Sequence, residues 1–218
     1  MTKPTVKFKR LSGRQPVIIQ ILPALVRGGV ERGTVEIAQA IQAAGGRAVV
    51  ISNGGPLVRY IERCGGKHIA LPMHVKNPLR WPGLRRQLKT IFQAENADIV
   101  HVRSRVPAWL ALTLAKSMGI ATISTVHSRF AAGSFLKRRY NAKILDAGQV
   151  IAISNYVHDM ITSQYMGVED RLTVVHRGVD TEIFDPSAVS QARIINFAGT
   201  VALPEDVSVI MMPARSSS

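Results

Sequence analysis

Cysteine is nearly absent: Cys64 is the single one among 218 residues. That excludes an internal disulfide and a cysteine-built zinc site. Acidic residues are scarce as well, 14 Asp and Glu against 28 Lys and Arg, for a formal charge of +14. Such a field favours anionic partners, whether nucleic acid, an anionic membrane surface or phosphorylated substrates. No RNP-like aromatic strand, zinc module or helix-turn-helix pattern stands in the sequence, so nucleic acid is not the expected partner. No stretch approaches the roughly 18 apolar residues of a spanning helix, and the basic start, Met1 to Arg10, lacks the apolar centre of a leader. The expected location is the cytoplasm, soluble or peripheral on the inner membrane face. Also missing are H-E-x-x-H, G-x-S-x-G, the Walker glycine-lysine pattern and G-x-G-x-x-G. Their absence removes the easily read protease, esterase and NTPase classes and disfavours a nucleotide-dependent oxidoreductase.

What is present is a packed core: 46% hydrophobic residues against 19% charged. Apolar runs alternate with helical patterns along most of the chain. The runs are Val17 to Leu22, Arg47 to Ser52, Lys67 to Leu71, Ile99 to Val102, Ala121 to Val126, Gln149 to Ile153 and Arg171 to His176. Continuous apolar strands separated by helices predict a parallel sheet covered on both faces, a doubly wound Rossmann-like α/β domain. Its expected span is 16–190, after a basic arm over 1–15 and before a linker segment over 191–218.

In such a sheet ligands bind beyond the carboxyl ends of the strands. The first strand leads through Pro23 to Gly28-Gly29, directly before a helix expected over about Val30 to Ala44. Glycines there let an anionic group approach unpaired backbone N–H groups. A glycine pair before a helix is also an ordinary turn, and both readings stay open at this point. The fourth strand delivers His101, Arg103 and Ser104 to the same edge, and the fifth delivers His127, Ser128 and Arg129. Both histidines are open to a structural reading as well as a ligand-binding one. Glu31 is expected to complement the helix dipole and Ser154 to cap the helix that follows it. Lys137, Arg138 and Arg139, beside Phe135, Leu136 and Tyr140, form a basic amphipathic segment that reads as a solvated face or as a contact with an anionic membrane.

Several pieces in fixed order carry a resemblance: Arg27-Gly28-Gly29-Val30-Glu31-Arg32, Asp98 to Ser104, Thr125 to Ser128, Val150 to Ser154, and His176 to Pro186. Together they resemble the amino-terminal half of family 4 (group 1) glycosyltransferases, over about residues 15–213. The resemblance implies the GT-B architecture of two Rossmann-like domains facing across a cleft. It implies retaining sugar transfer from a nucleotide-sugar donor to a glycan, lipid-linked or polysaccharide acceptor, with no metal or further cofactor. It implies lipopolysaccharide or polysaccharide biosynthesis as the setting. By the same resemblance His127 contacts the donor sugar at the reacting centre, and Gly28 and Gly29 lie near the donor diphosphate. Ser154, Gly178 and Asp180 fall at positions lining the cleft or its exit, where His101, Arg103, Ser104 and Arg129 are also expected. One departure is Arg177, where the family's loop usually has Asn. Another is that the chain stops where the donor domain should begin. Val207 to Arg215 are expected as that domain's first strand, with residues from about 190 onward poorly ordered or loosely docked. A catalytically silent binding module is therefore the alternative for the isolated chain, with little nucleotide-sugar affinity.

Overall fold

The computed structural model describes residues 14–130, 134–181, 183–204 and 207–210. Seven strands form one sheet: β1 Val17–Ile21, β2 Arg47–Ser52, β3 Lys67–Ala70, β4 Ile99–Val102, β5 Ala121–Val126, β6 Gln149–Ala152 and β7 Leu172–Val174. Their order is β3-β2-β1-β4-β5-β6-β7, and every pairing is parallel. One helix joins each consecutive pair of strands: α1 Gly29–Ala43, α2 Val58–Arg63, α3 Trp81–Ala94, α4 Arg105–Ser117, α5 Phe135–Ala142 and α6 Asn155–Gln164. This is the doubly wound α/β architecture that the alternation predicts.

The central strands are mostly apolar because both faces are covered. Successive side chains point to opposite faces. Ile18, Ala48 and Val50 accordingly pack with Val35, Ala38 and Ile41 of α1 and Ile61 of α2. Ile19, Ile21, Val49, Ile51, Val100 and Val102 pack on the other side with Leu84, Leu88 and Phe92 of α3, Ala108 and Leu112 of α4, and Val157 and Ile161 of α6. Each fully buried large side chain contributes about 1.5–3 kcal/mol relative to leaving it in water.

Ionic contacts close the amino edge of the sheet. Glu95, 6% exposed, lies between Arg47 Nη1 at 2.8 Å and Lys67 Nζ at 2.7 Å. Arg14 Nη2 meets Asp98 at 2.6 Å. The carboxyl edge is left for other work. There the strand order reverses between β1 and β4, and such a reversal opens a crevice beyond the strand ends.

The chain divides into two compact units, Met1–Arg177 and Gly178–Ser218. In the second, a 3-10 turn at Pro186–Ala188 precedes α7, Gln191–Thr200, whose N-cap Ser190 accepts from the Arg193 N–H at 3.4 Å. Residues 191–200 are helical, opened by a serine cap. Residues 207–210, expected in a strand, lie in none. A lone strand has no neighbour with which to share its backbone hydrogen bonds. The rest of that expected strand, 211–215, and residues 1–13 of the basic arm lie outside the described residues.

Candidate sugar and phosphate site

The crevice at the strand reversal is built by three strand ends and one helix start. β1 runs out through Pro23 towards α1, β4 delivers Arg103 and Ser104, and β5 delivers His127 and Ser128. These segments enclose a cavity of about 200 Å³ whose polar lining includes Glu31, Arg103, Ser104, Arg105, His127 and Ser128.

Gly28 caps α1 at φ 143°, a conformation that L side chains rarely adopt, and a Cβ there would lie 2.6 Å from Glu31 Oε2. The backbone angle favours glycine at this position, while the Glu31 carboxylate, at the end of a flexible side chain, could move aside. Glu31, in the first turn, carries its carboxylate to the positive end of the helix.

Arg103 is 6% exposed, and its Nε–H donates to Gln20 Oε1 at 3.0 Å. Gln20, buried in β1, in turn donates from Nε2 to the Thr34 carbonyl of α1 at 3.1 Å. A polar residue inside an apolar strand thus ties the arginine to the helix. Burial, and then the nearby Arg177, bring the Arg103 pKa down to about 10, against the opposing pull of Glu36. It remains a cation at neutral pH.

Arg177 follows β7 and reaches back to α1. Its Nη1 donates to the Gly29 carbonyl, and Nη2 stands 3.6 Å from Glu36 Oε2. A Cβ on Gly29 would lie 2.7 Å from Arg177 Nη1, and one on Gly33 would lie 3.0 Å from Nη2 and 3.7 Å from Arg103 Nη1. Two guanidinium groups therefore lie over the first turns of α1, where glycines make room for them. Reading the sequence assigned Arg177 no role. The available signal was an arginine in place of the family's asparagine beside a glycine loop.

Both ring nitrogens of His127 are buried with no hydrogen-bond partner among the described residues. Burial, then Arg103 and Arg177, push its pKa down to about 4. The imidazole is therefore neutral at pH 7 and offers one donor and one acceptor. Leaving buried polar atoms unpaired costs about 1–3 kcal/mol per group, a cost that a ligand hydroxyl at this site would remove.

The other expected residues fall in several places. His101 lies in β4 beneath the cavity, buried, with Nε2 2.8 Å from Thr125 Oγ1, and is not part of the cavity lining. Burial, Arg103 and His127 hold its pKa well below the usual value. Ser104 is the N-cap residue of α4 and lines the cavity. Ser154 caps α6, accepting from the Val157 N–H at 3.3 Å. Arg129 is exposed and outside the lining. Gly178 and Asp180 belong to the second unit, where Asp180 Oδ1 accepts from the Ile183 N–H at 3.4 Å. Lys137, Arg138 and Arg139 are exposed on α5, and Arg138 donates to the Gln164 carbonyl at 2.9 Å. Beside them Phe135 and Leu136 are 76% and 75% exposed.

A second cavity, of about 340 Å³, adjoins the first and shares Pro23, Ser104 and Arg105 with it. His74, Lys76, Val106 and Tyr140 complete its lining.

The sequence profile of Glycosyltransferase Family 4 matches residues 27–183. The chain belongs to glycosyltransferase family 4. A solved glycosyltransferase from Rickettsia africae ESF-5 is 33% identical and superposes with a TM-score of 0.81, over 94% of this chain and 54% of that one. Anabaena Alr3699/HepE, solved in complex with UDP-glucose, shares the fold at 14% identity and a TM-score of 0.70, over 85% and 50% of the two chains. Spore coat protein SA of Bacillus subtilis strain 168 is 24% identical over 169 residues, 77% of this chain and 43% of its own length. The chain thus spans about half the length of these family 4 and GT-B relatives. The matched segment, 27–183, carries Gly28, Arg103, His127 and Arg177, four of the groups that build the site.

Proposed function

We propose that this domain takes part in retaining transfer of a sugar from a nucleotide-sugar donor to a lipid-linked or polysaccharide acceptor. The observation that carries this reading is the neutral, unpartnered His127 imidazole in a cavity beside the cations Arg103 and Arg177. Sugar transfer needs both kinds of group. The bond between the sugar's anomeric carbon and the diphosphate breaks, a bond to the acceptor oxygen forms, and the acceptor's hydroxyl proton departs. Negative charge grows on the leaving diphosphate. Arg103 and Arg177 are placed to stabilise it. His127, Glu31 and Ser104 offer donors and acceptors suited to sugar hydroxyls, and no step here calls for a metal or further cofactor.

The test titrates the 218-residue chain with UDP-glucose and a panel of other nucleotide sugars, followed by NMR. Shifts centred on His127 and Gly29 support the reading. Shifts that avoid both residues refute it.

A cavity of about 200 Å³ is smaller than the roughly 300–1,000 Å³ of whole-ligand pockets, so it suits one sugar ring and not an entire nucleotide sugar. That supports a second reading, in which the isolated chain binds weakly and does not catalyse. Sugar transfer by the purified chain would rule this out.

We also place the domain in the cytoplasm, at the inner membrane face. Among the described residues no helix is long and apolar enough to cross a membrane. Phe135 and Leu136, exposed beside Lys137, Arg138 and Arg139, support peripheral contact with anionic lipid. Flotation with phosphatidylglycerol vesicles, compared with neutral ones, tests it; no preference for the anionic vesicles removes the membrane clause.

A further inference from the structure

The second cavity has its own chemistry. Lys76 and Arg105 line it and no carboxylate does. Arg105 is held in place: its Nη1 donates to Asn141 Oδ1 at 2.8 Å, and its guanidinium lies 5.8 Å from the centre of the Phe130 ring. Tyr140 is fixed by Trp109. The two rings stack with centroids 6.3 Å apart, and Trp109 Nε1 donates to the Tyr140 carbonyl at 3.2 Å.

The segment carrying His74 and Lys76 is anchored by its alternate residues. Met73 is fully buried, and the Val75 carbonyl accepts from Trp81 Nε1 at 3.0 Å. His74 and Lys76 are left exposed at the cavity. Among the described residues Lys76 has no ion-pair partner. Two uncompensated cations, one of them preset, face a space large enough for a sugar ring with a charged substituent.

We infer that this cavity receives an acidic acceptor, a sugar bearing a phosphate or carboxylate group, with the oxyanion on Lys76 and Arg105. The adjoining cavities share Pro23, Ser104 and Arg105, so an acceptor seated by its charge in the larger one presents a hydroxyl towards His127 in the smaller. Arg105, lining both, sets the register between the charged group and the reacting hydroxyl. A uronate or phosphosugar is then selected over its neutral counterpart by Coulombic attraction to Lys76 and Arg105. The inference rests on the sugar-transfer reading for the word acceptor; the anion site itself does not.

The experiment titrates the full chain with glucose, glucuronate and glucose 6-phosphate at constant ionic strength. It follows the His74 ring and the amides of Lys76 and Arg105 by NMR. Glucuronate, glucose 6-phosphate or both shift these resonances at concentrations where glucose does not, and whichever binds more tightly identifies the charged group. Lys76→Glu, an exposed position at which folding is preserved, weakens that binding at least fivefold; Lys89→Glu, exposed on α3 and outside both cavities, leaves it unchanged. Equal binding of glucose and the acidic sugars overturns the inference, as does an unchanged affinity in Lys76→Glu. A parallel titration with UDP, followed at His127 and Gly29, reports on the donor reading separately. Its failure beside a positive acidic-sugar result leaves the anion cavity standing without a donor site.

Discussion

His127 should make the protein lose stability in mildly acidic solution, well above the range where carboxylates titrate. Its folded pKa is about 4 against the usual 6.5, because burial and the neighbouring Arg103 and Arg177 disfavour the imidazolium. The unfolded chain therefore takes up a proton as pH falls through 6.5, while the folded chain does not until about 4. Acid draws the equilibrium towards the unfolded state across that window, and stability at pH 7 is intact. At about 1.36 kcal/mol per pH unit the full loss is about 3 kcal/mol, of which about 2 kcal/mol is gone by pH 5. His101, fully enclosed and also held well below its usual pKa, adds loss in the same direction. So does His68, lowered by burial against the opposing pull of Glu62. The assay is urea unfolding at pH 7.5, 6 and 5 for the unmodified protein and for His127→Gln. The variant should lose about 2 kcal/mol less between pH 7.5 and 5. In parallel, the His127 Hε1 resonance should stay flat over that range, and added UDP should move its titration upward by offsetting the two arginines. A resonance that titrates near 6.5, or identical pH slopes for the two proteins, would refute the placement of His127 among buried cations.

The remaining predictions concern the supports of the site. Arg177→Asn removes the bond to Gly29 and the contact with Glu36, so UDP affinity should fall several-fold in calorimetry; the change in thermal stability should stay within about 1 kcal/mol, as for other part-exposed ion pairs. Gly55→Ala puts a Cβ 2.4 Å from the Leu25 carbonyl oxygen at φ 139° and should cost about 2–4 kcal/mol in denaturant unfolding. The adjacent Gly54→Ala, at φ 87° with open space around it, should cost only about 1–2 kcal/mol. Glu95→Ala strands Arg47 and Lys67 at the amino edge and should cost about 1–3 kcal/mol while leaving the UDP titration unchanged. Burial raises the Glu95 pKa, but Lys67 and Arg47 outweigh it and hold it low. Its contribution is thus present above the usual 4.5 and lost below it, a window separate from that of His127.

The strands were readable because a sheet covered on both faces makes them apolar runs, and Val17–Ile21 and Ala121–Val126 fall where those runs lie. Helix starts were less readable. α4 begins at Arg105 and α3 at Trp81, each ahead of a proline. Pro107 and Pro82 sit inside the first turns, where the missing N–H has no intrahelical partner to lose. The positions of Gly28, Ser104 and His127 at one edge followed from the alternation of strands and helices. The contacts that tune the site did not. Gln20 grips Arg103 from 83 residues away, and Arg177 reaches Gly29 across 148. No local pattern encodes a partner at such a distance; for Gln20 and Arg103 the strand order, which places β4 beside β1, does so.

The charges at the start of α1 account for a second arginine at position 177. The start of α1 already holds a negative group, Glu31, so the helix dipole by itself is partly answered and has little to offer a diphosphate. Arg103 restores positive charge from inside the sheet but is fixed by Gln20 and nearly enclosed. Arg177 is held only by a backbone carbonyl and a carboxylate 3.6 Å away, and its side chain is 34% exposed. An arriving anion can draw this guanidinium from Gly29 and Glu36 at small cost, whereas Arg103 is unable to move without breaking a buried hydrogen bond. The two cations therefore divide the work, one fixed and one exchangeable. Protease cleavage after Arg177 should accordingly slow when UDP is bound, and an unchanged cleavage rate at saturating UDP would show that Arg177 does not leave its seat for the ligand.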